Sequence, residues 1–231
     1  LTGYDFSTIL MPEYPIDVAC EVFTRINTGG TNLSLFEIMV AKTYDLDREF
    51  DLAREYEWLI DNNGAEKDLE DAGFDTIPAS TVLQCIAARL RKALKRKDIL
   101  KLEKNDVIRE WPSVKDGIFN AVDYLRSHLR IPVSHLMPYN GLLVPLCYFF
   151  LKNEGRMPTV RQDKYLQQYF FWVAVRNRFT SGIDGKIAVD LGKMDEVLEE
   201  REPDYQGEQA RLTIEDLKWK WFSTGEAFCK A

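Results

Sequence analysis

Arg25-Ile26-Asn27-Thr28-Gly29-Gly30-Thr31 puts a guanidinium, several short polar side chains and two adjacent glycines into seven residues. Glycines let backbone N–H groups approach a ligand closely, and the start of a helix presents N–H groups that have no partner. Arg25 lies one turn ahead and can fork onto a phosphate or a carboxylate. One reading is therefore a phosphate contact built from Arg25, Asn27 and Gly30. No Gly-Lys-Ser/Thr follows, so the stretch is not a P-loop. The other reading is a corner: Gly29 or Gly30 ends one helix, and Asn32 or Ser34 caps the next.

A second candidate is a basic run. Between Arg89 and Lys104 stand eight bases, namely Arg89, Arg91, Lys92, Lys95, Arg96, Lys97, Lys101 and Lys104, against Asp98 and Glu103. Arg91, Lys92, Lys95 and Arg96 form its centre. Such a patch can neutralise the phosphates of DNA or RNA. It can equally be a solvated helix face that balances the acidic stretch from Asp45 to Asp75. A third group, Arg176-Asn177-Arg178, closes an aromatic segment ahead of Gly182. Bases there suit a helix C-terminus; the sharper reading makes Arg178 a second anion contact.

The remaining chemistry is thin. The chain has two histidines, His128 and His135, seven residues apart, which does not suit a chelating pair on one helical turn. No Ser-His-Asp set stands out, and acid pairs such as Asp45 and Asp47 are too common on this surface to mark catalysis. Cys20, Cys85, Cys147 and Cys229 form no Cys-x-x-Cys pair, which reads as buried thiols in a reducing cytoplasm.

The elements that must carry these residues are mostly helical. Tyr4 to Leu10 alternates like a short strand, ended by Pro12 and Pro15. Val18, Val22 and Ile26 then recur every four residues and predict a helix from Pro15 to Asn27. Ser34 and Glu37 have capping-box spacing and start the next helix. Helical patterns are expected over Asp47–Ile60, Pro78–Leu102, Gly117–Leu129, Leu142–Leu151, Tyr165–Phe179, Ile183–Leu198 and Leu212–Phe222. Asn62-Asn63-Gly64 reads as a turn, and Pro132 and Pro138 bracket a loop. Leu142–Leu151 is apolar nearly all round and reads as a central helix. The fold class is mainly α: a multi-helix bundle with a short extended N-terminal segment. Residues 1–45 read as the tail of a core domain and 46–231 as a helical domain, with one continuous unit as the alternative.

Phe23, Arg25, Ile26, Asn27, Gly30, Leu33, Ser34 and Glu37 together give Phe-x-Arg-Ile-Asn-x-x-Gly-x-x-Leu-Ser followed by Glu. This pattern resembles the C-terminal portion of the family catalogued as domain of unknown function 262. That family includes the GmrS-like part of modification-dependent (GmrSD-type) restriction endonucleases and is related to ParB-like nucleases. Pro138-Tyr139-Asn140 before Leu143-Val144-Pro145-Leu146, and Phe170-Phe171-Trp172 leading to Arg178-Phe179, are more loosely similar to its later helices. The resemblance covers residues 1–45 well and 135–195 loosely. It implies a nucleotide-dependent parent protein acting in restriction or phage defence, with a nucleoside triphosphate and a divalent metal as cofactors of the intact protein.

The family's Asp-Gly-Gln-Gln-Arg motif is absent from this sequence. Ser134-His135-Leu136-Met137-Pro138 resembles the start of some His-Asn-His nuclease domains, but no further His follows to complete a metal site. The resemblance thus implies a helical portion without the catalytic centre, whose partner is the N-terminal core domain of the same protein. Arg25 and Asn27 would face that centre. The first residue is Leu, and the sequence reads as starting inside a larger protein.

Composition sets bounds on this. The 231 residues are 45% hydrophobic and 29% charged, as in globular proteins, and suffice for a core without staples. The net charge of −7 means that any nucleic-acid contact must come from a local face. The longest apolar run, Gly141 to Leu151, is too short to cross a membrane, so no membrane partner is expected. Two functional expectations stand: a fragment of a nucleotide-dependent DNA restriction protein, or a non-catalytic DNA- or protein-binding helical module.

Overall fold

Among the described residues three helices start at a side-chain cap, on Ser34, Asp51 and Thr159. A computed structural model describes residues 33–64 and 66–205, with Val18 alone ahead of them. The Arg25–Thr31 stretch, the Tyr4–Leu10 strand, the Pro15–Asn27 helix apart from Val18, and the Leu212–Phe222 helix therefore lie outside the described residues. Among the described residues the fold is all-α, with eight helices and no strand.

Helix α1 (Leu35–Thr43) opens on the expected capping box: the Ser34 hydroxyl accepts the Glu37 N–H at 3.2 Å, and the Glu37 carboxylate accepts the Ser34 N–H at 2.7 Å. Helix α2 (Leu52–Ile60) follows a tight turn. The expected helical start at Asp47 is corrected here. Asp45 and Phe50 exchange two backbone hydrogen bonds of 2.9 Å, the Asp45 carboxylate takes the Arg48 N–H, and Glu49 adopts φ 53°. Asp51 then caps α2 through the Ala53 N–H. The turn at Asn63-Gly64 is present as expected.

Helix α3 (Ala79–Arg91) stops eleven residues short of the expected end. Lys92 turns left-handed at φ 52° and its N–H bonds back to the Ala87 carbonyl. Leu94 is still buried, but it reaches the core from the connection rather than from the helix. A single turn, α4 (Arg96–Ile99), leads to α5 (Lys104–Ser127). The expected start at Gly117 is corrected to Lys104. Val107, Trp111, Val114, Ile118 and Leu125 form one buried stripe, and that packing overrides the low propensity of Pro112 and Gly117. Pro112 is exposed, so the Ile108 carbonyl that it leaves without a donor lies toward solvent.

Helix α6 (Leu143–Lys152) is the centre of the molecule. All its residues except Leu151 and Lys152 are buried, and it packs against α3, α5 and α8. Pro145 sits in its first turn, where the missing N–H costs nothing. Each fully buried Leu or Phe here contributes about 1.5–3 kcal/mol. Helix α7 (Val160–Val175) begins earlier than expected because Thr159 and Gln162 form a second capping box. It also ends earlier, at a left-handed Asn177 followed by a separate turn, Arg178–Thr180. Helix α8 has the expected bounds, Ile183–Leu198. One core cluster runs from Met39 to Tyr205 and so takes in residues on both sides of position 45. Among the described residues no helix is long and apolar enough to cross a membrane.

Candidate nucleic-acid interface

The left-handed Lys92 bends the basic run into a corner between α3 and α4. Arg91 closes α3, Lys95 and Arg96 open α4, and Lys97 and Lys101 follow. The expected helix to Leu102 is thereby corrected: the bases lie on both sides of a bend. Burial of Leu94, Ile99 and Leu102 pins that bend to the core.

The eight bases divide into two sets. Arg89 Nε donates to the Glu110 carboxylate at 2.8 Å, Lys92 Nζ to Asp195 at 2.5 Å, and Lys104 lies 3.0 Å from Asp45. They tie α3 to α5, the end of α3 to α8, and the start of α5 to the turn after α1. The Lys92 ammonium also sits 5.0 Å from the centre of the Tyr148 ring. Partial burial works against its charge, but Asp195 and then Tyr148 more than offset that, and its pKa is raised. The Glu110 carboxyl is held below its ordinary range, chiefly by Arg89 and then by Arg109.

Arg91, Lys95, Arg96, Lys97 and Lys101 are exposed, and their side chains make no hydrogen bond or ion pair among the described residues. Arg91 and Lys101 stand at the edge of an open groove of about 610 Å³ whose apolar floor includes Leu90 and Leu102. Asp98, Glu103 and Asp106 line the same groove, so its charge is mixed, and Asp106 is engaged by Arg109 at 2.8 Å.

Arg178 belongs to a separate cluster, built on Asp190 of α8. Both arms of its guanidinium hold Asp190, and the ring of Trp172 lies 4.6 Å beneath it. Tyr169 donates to the same carboxylate at 3.0 Å. Burial pushes the Asp190 pKa up, against the pull of Arg178. Asp190 was not singled out in the sequence; its only signal there is an acid on the apolar stripe of α8. Arg25, Asn27 and Gly30 lie outside the described residues.

Among the described residues no group of three or more His, Cys, Asp or Glu side chains can hold a metal ion. His128 stacks on Tyr124, ring centres 4.8 Å apart, and its Nδ1 meets the Ser127 hydroxyl. His135 lies in a short turn, Ser134–Leu136. Cys85 and Cys147 are buried free thiols, and burial pushes the Cys147 thiol well up.

No protein-family model matches the chain. It is similar to the uncharacterized protein MJ0686 of Methanocaldococcus jannaschii, at 23% identity over 185 residues, which are 77% of this chain and 30% of that protein. The chain thus spans under a third of the length of that relative. No solved structure matches.

Proposed function

We propose that this helical bundle is a non-catalytic DNA-contacting module of a larger restriction or defence protein. The observation that carries the reading is the corner between α3 and α4. Five exposed bases without partners among the described residues gather there, on a chain whose net charge is −7. Long cationic side chains left unpaired on an acidic protein favour a polyanionic partner, because phosphate contacts release condensed counterions. The bases that hold the fold together, Arg89, Lys92 and Lys104, are spent on carboxylates. The contact face is therefore Arg91, Lys95, Arg96, Lys97 and Lys101. The mixed charge of the neighbouring groove fits positioning on the phosphate backbone rather than reading of base edges.

The test is duplex-DNA binding by the 231-residue chain at two salt concentrations. Salt-sensitive binding that is lost on reversing Arg91, Lys95 and Arg96 to Glu supports the reading. No binding at low salt removes it.

The Arg25–Thr31 motif supports a companion role for the intact protein. Arg25, Asn27 and Gly30 would contact nucleotide phosphate, with the triphosphate and its divalent metal held mainly by the N-terminal core domain. Arg25→Ala in the intact protein then abolishes nucleotide turnover while the fold melts normally; unchanged turnover sinks that role.

A further inference from the structure

Three helices end together beside the basic corner. Asp195, in the last turn of α8, takes the Lys92 ammonium on one carboxylate oxygen and the Tyr148 hydroxyl, at 2.7 Å, on the other. Lys92 closes α3, and Tyr148 stands one turn from the end of α6. The C-terminal ends of α3, α6 and α8 therefore meet around the Tyr148 ring. Each brings the negative pole of its dipole, about half an elementary charge, so bases are favoured there.

Two ammoniums sit at that ring. Lys92 Nζ lies 5.0 Å from its centre, and Nζ of Lys152, the last residue of α6, lies 5.9 Å from it. The two charges can be no farther apart than those distances added. Their states differ. Lys92 is spent on Asp195. Lys152 is exposed, and its side chain makes no hydrogen bond or ion pair among the described residues. Glu154, the nearest acid in the sequence, is held by Arg156, and Glu199 by Arg201. Glu196 and Glu200 at the end of α8 are engaged elsewhere, by the Asp204 N–H and the Thr159 hydroxyl.

Lys152 thus shares the property that marks the five bases of the corner, a long exposed cation without a partner on an acidic chain. Lys92 joins it to them, since Lys92 follows Arg91 directly and stands three residues ahead of Lys95. The basic surface does not stop at the corner but reaches α6. Each strand of duplex DNA carries a phosphate about every 3.4 Å of axis, so a backbone held at the corner brings further phosphates toward Lys152. The Tyr148 ring is fully buried and offers no face for a base to stack on, which leaves the backbone as what is contacted here. We propose that Lys152 is a further phosphate contact, so that the DNA backbone crosses the pole where α3, α6 and α8 end. The proposal rests on the DNA-contacting reading of the corner.

The test is binding of a labelled mixed-sequence DNA duplex by the 231-residue chain, followed by fluorescence anisotropy over a series of salt concentrations. Lys152→Ala is expected to weaken binding about threefold at low salt and to reduce the slope of log K against log salt by about one. Arg54→Ala removes the same unit of charge from α2, where Arg54 lies over the Trp58 ring, and is expected to leave both at the parent's values. Lys152→Gln takes the place of Lys152→Ala if that variant fails to melt cooperatively. A parent that binds, and responds to reversal of Arg91, Lys95 and Arg96 but not to Lys152→Ala, overturns the proposal and leaves the corner standing. Weaker binding by Lys152→Ala with an unchanged slope also overturns it, because Lys152 then serves only the end of α6. A parent that does not bind the duplex at low salt removes both the proposal and the reading beneath it.

Discussion

Arg178 grips Asp190 with both arms of its guanidinium, Nε at 2.8 Å and Nη2 at 2.7 Å, at a carboxylate with no solvent exposure. The anion that Arg178 meets among the described residues is therefore the protein's own. Removing one partner of a buried pair strands the other charge. Arg178→Ala is expected to cost about 3–5 kcal/mol in denaturant unfolding. Arg178→Lys keeps the charge but loses the fork, and recovers only part of that. The sign with pH follows from the raised Asp190 pKa. A carboxyl whose folded pKa exceeds its unfolded value costs stability above that pKa, and the cost fades as pH falls through it. The Arg178→Ala deficit should accordingly shrink on acidification; a deficit that grows instead contradicts the assignment of the stranded charge to Asp190.

Lys92 and Arg96 stand four residues apart in one basic run but belong to different tasks. Lys92 is paired with Asp195, while Arg96 points into solvent. The Lys92 pair is more than a third exposed on both sides, so screening holds its worth to about 0.5–1 kcal/mol. Lys92→Ala should show that loss in unfolding and change DNA binding little. Arg96→Ala should leave stability within about 0.5 kcal/mol yet weaken DNA binding and flatten its salt dependence. Paired melts and salt titrations of the two variants separate the roles.

What could be read from the sequence was local. Ser34 and Glu37 announce the start of α1 because both partners of the capping box lie within one turn. The apolar run Leu142–Leu151 announces a central helix because no other element tolerates burial on every side. Ile183–Leu198 is bounded by Gly182 and by a polar stretch, and its limits are legible for that reason. What was hidden depends on partners distant in the chain. The stop at Lys92 has no Gly or Pro to mark it, and its left-handed turn is held by packing of Leu94 and Ile99. The span Lys104–Asp116 is helical because Trp111 and Val114 meet the core, in spite of Pro112. The candidate site followed the same rule. Clustering of bases was visible in the sequence, whereas which of them are spent on Glu110, Asp195 and Asp45 was not, since those acids lie up to 103 residues away.

At Gly117 side chains of α6 press directly on the backbone of α5. A Cβ there would lie 2.7 Å from Leu151 Cγ and 3.2 Å from Cys147 Sγ. Gly117→Ala should therefore destabilise by about 1–3 kcal/mol through overpacking, although alanine favours a helix intrinsically. Leu151→Ala clears the first of these contacts. The double variant should then be more stable than the sum of the single losses, and a thermodynamic cycle from denaturant melts measures the difference. Simple additivity would show that Leu151 is not what the methyl group meets.

Asp68 organises the turn between α2 and α3. One of its carboxylate oxygens accepts the Asp71 N–H at 2.9 Å and the other the Asn62 N–H at 3.0 Å, and the residue is 2% exposed. Those amides, Asp71 first and then Asn62, hold its carboxyl below the ordinary range. A depressed folded pKa supplies stability above the unfolded value, and that stability is lost as pH falls through the folded pKa. Asp68→Ala should cost about 1–3 kcal/mol at neutral pH, because two turn amides lose their acceptor. Asp68→Asn retains one acceptor oxygen and turns an N–H toward the other amide, so its loss should be comparable rather than milder. In acid, where the parent's own carboxyl is protonated, the gap between parent and Asp68→Ala narrows. Urea melts of the three proteins at neutral and acid pH measure it; a gap that is constant with pH would show that the carboxylate charge contributes nothing at this turn.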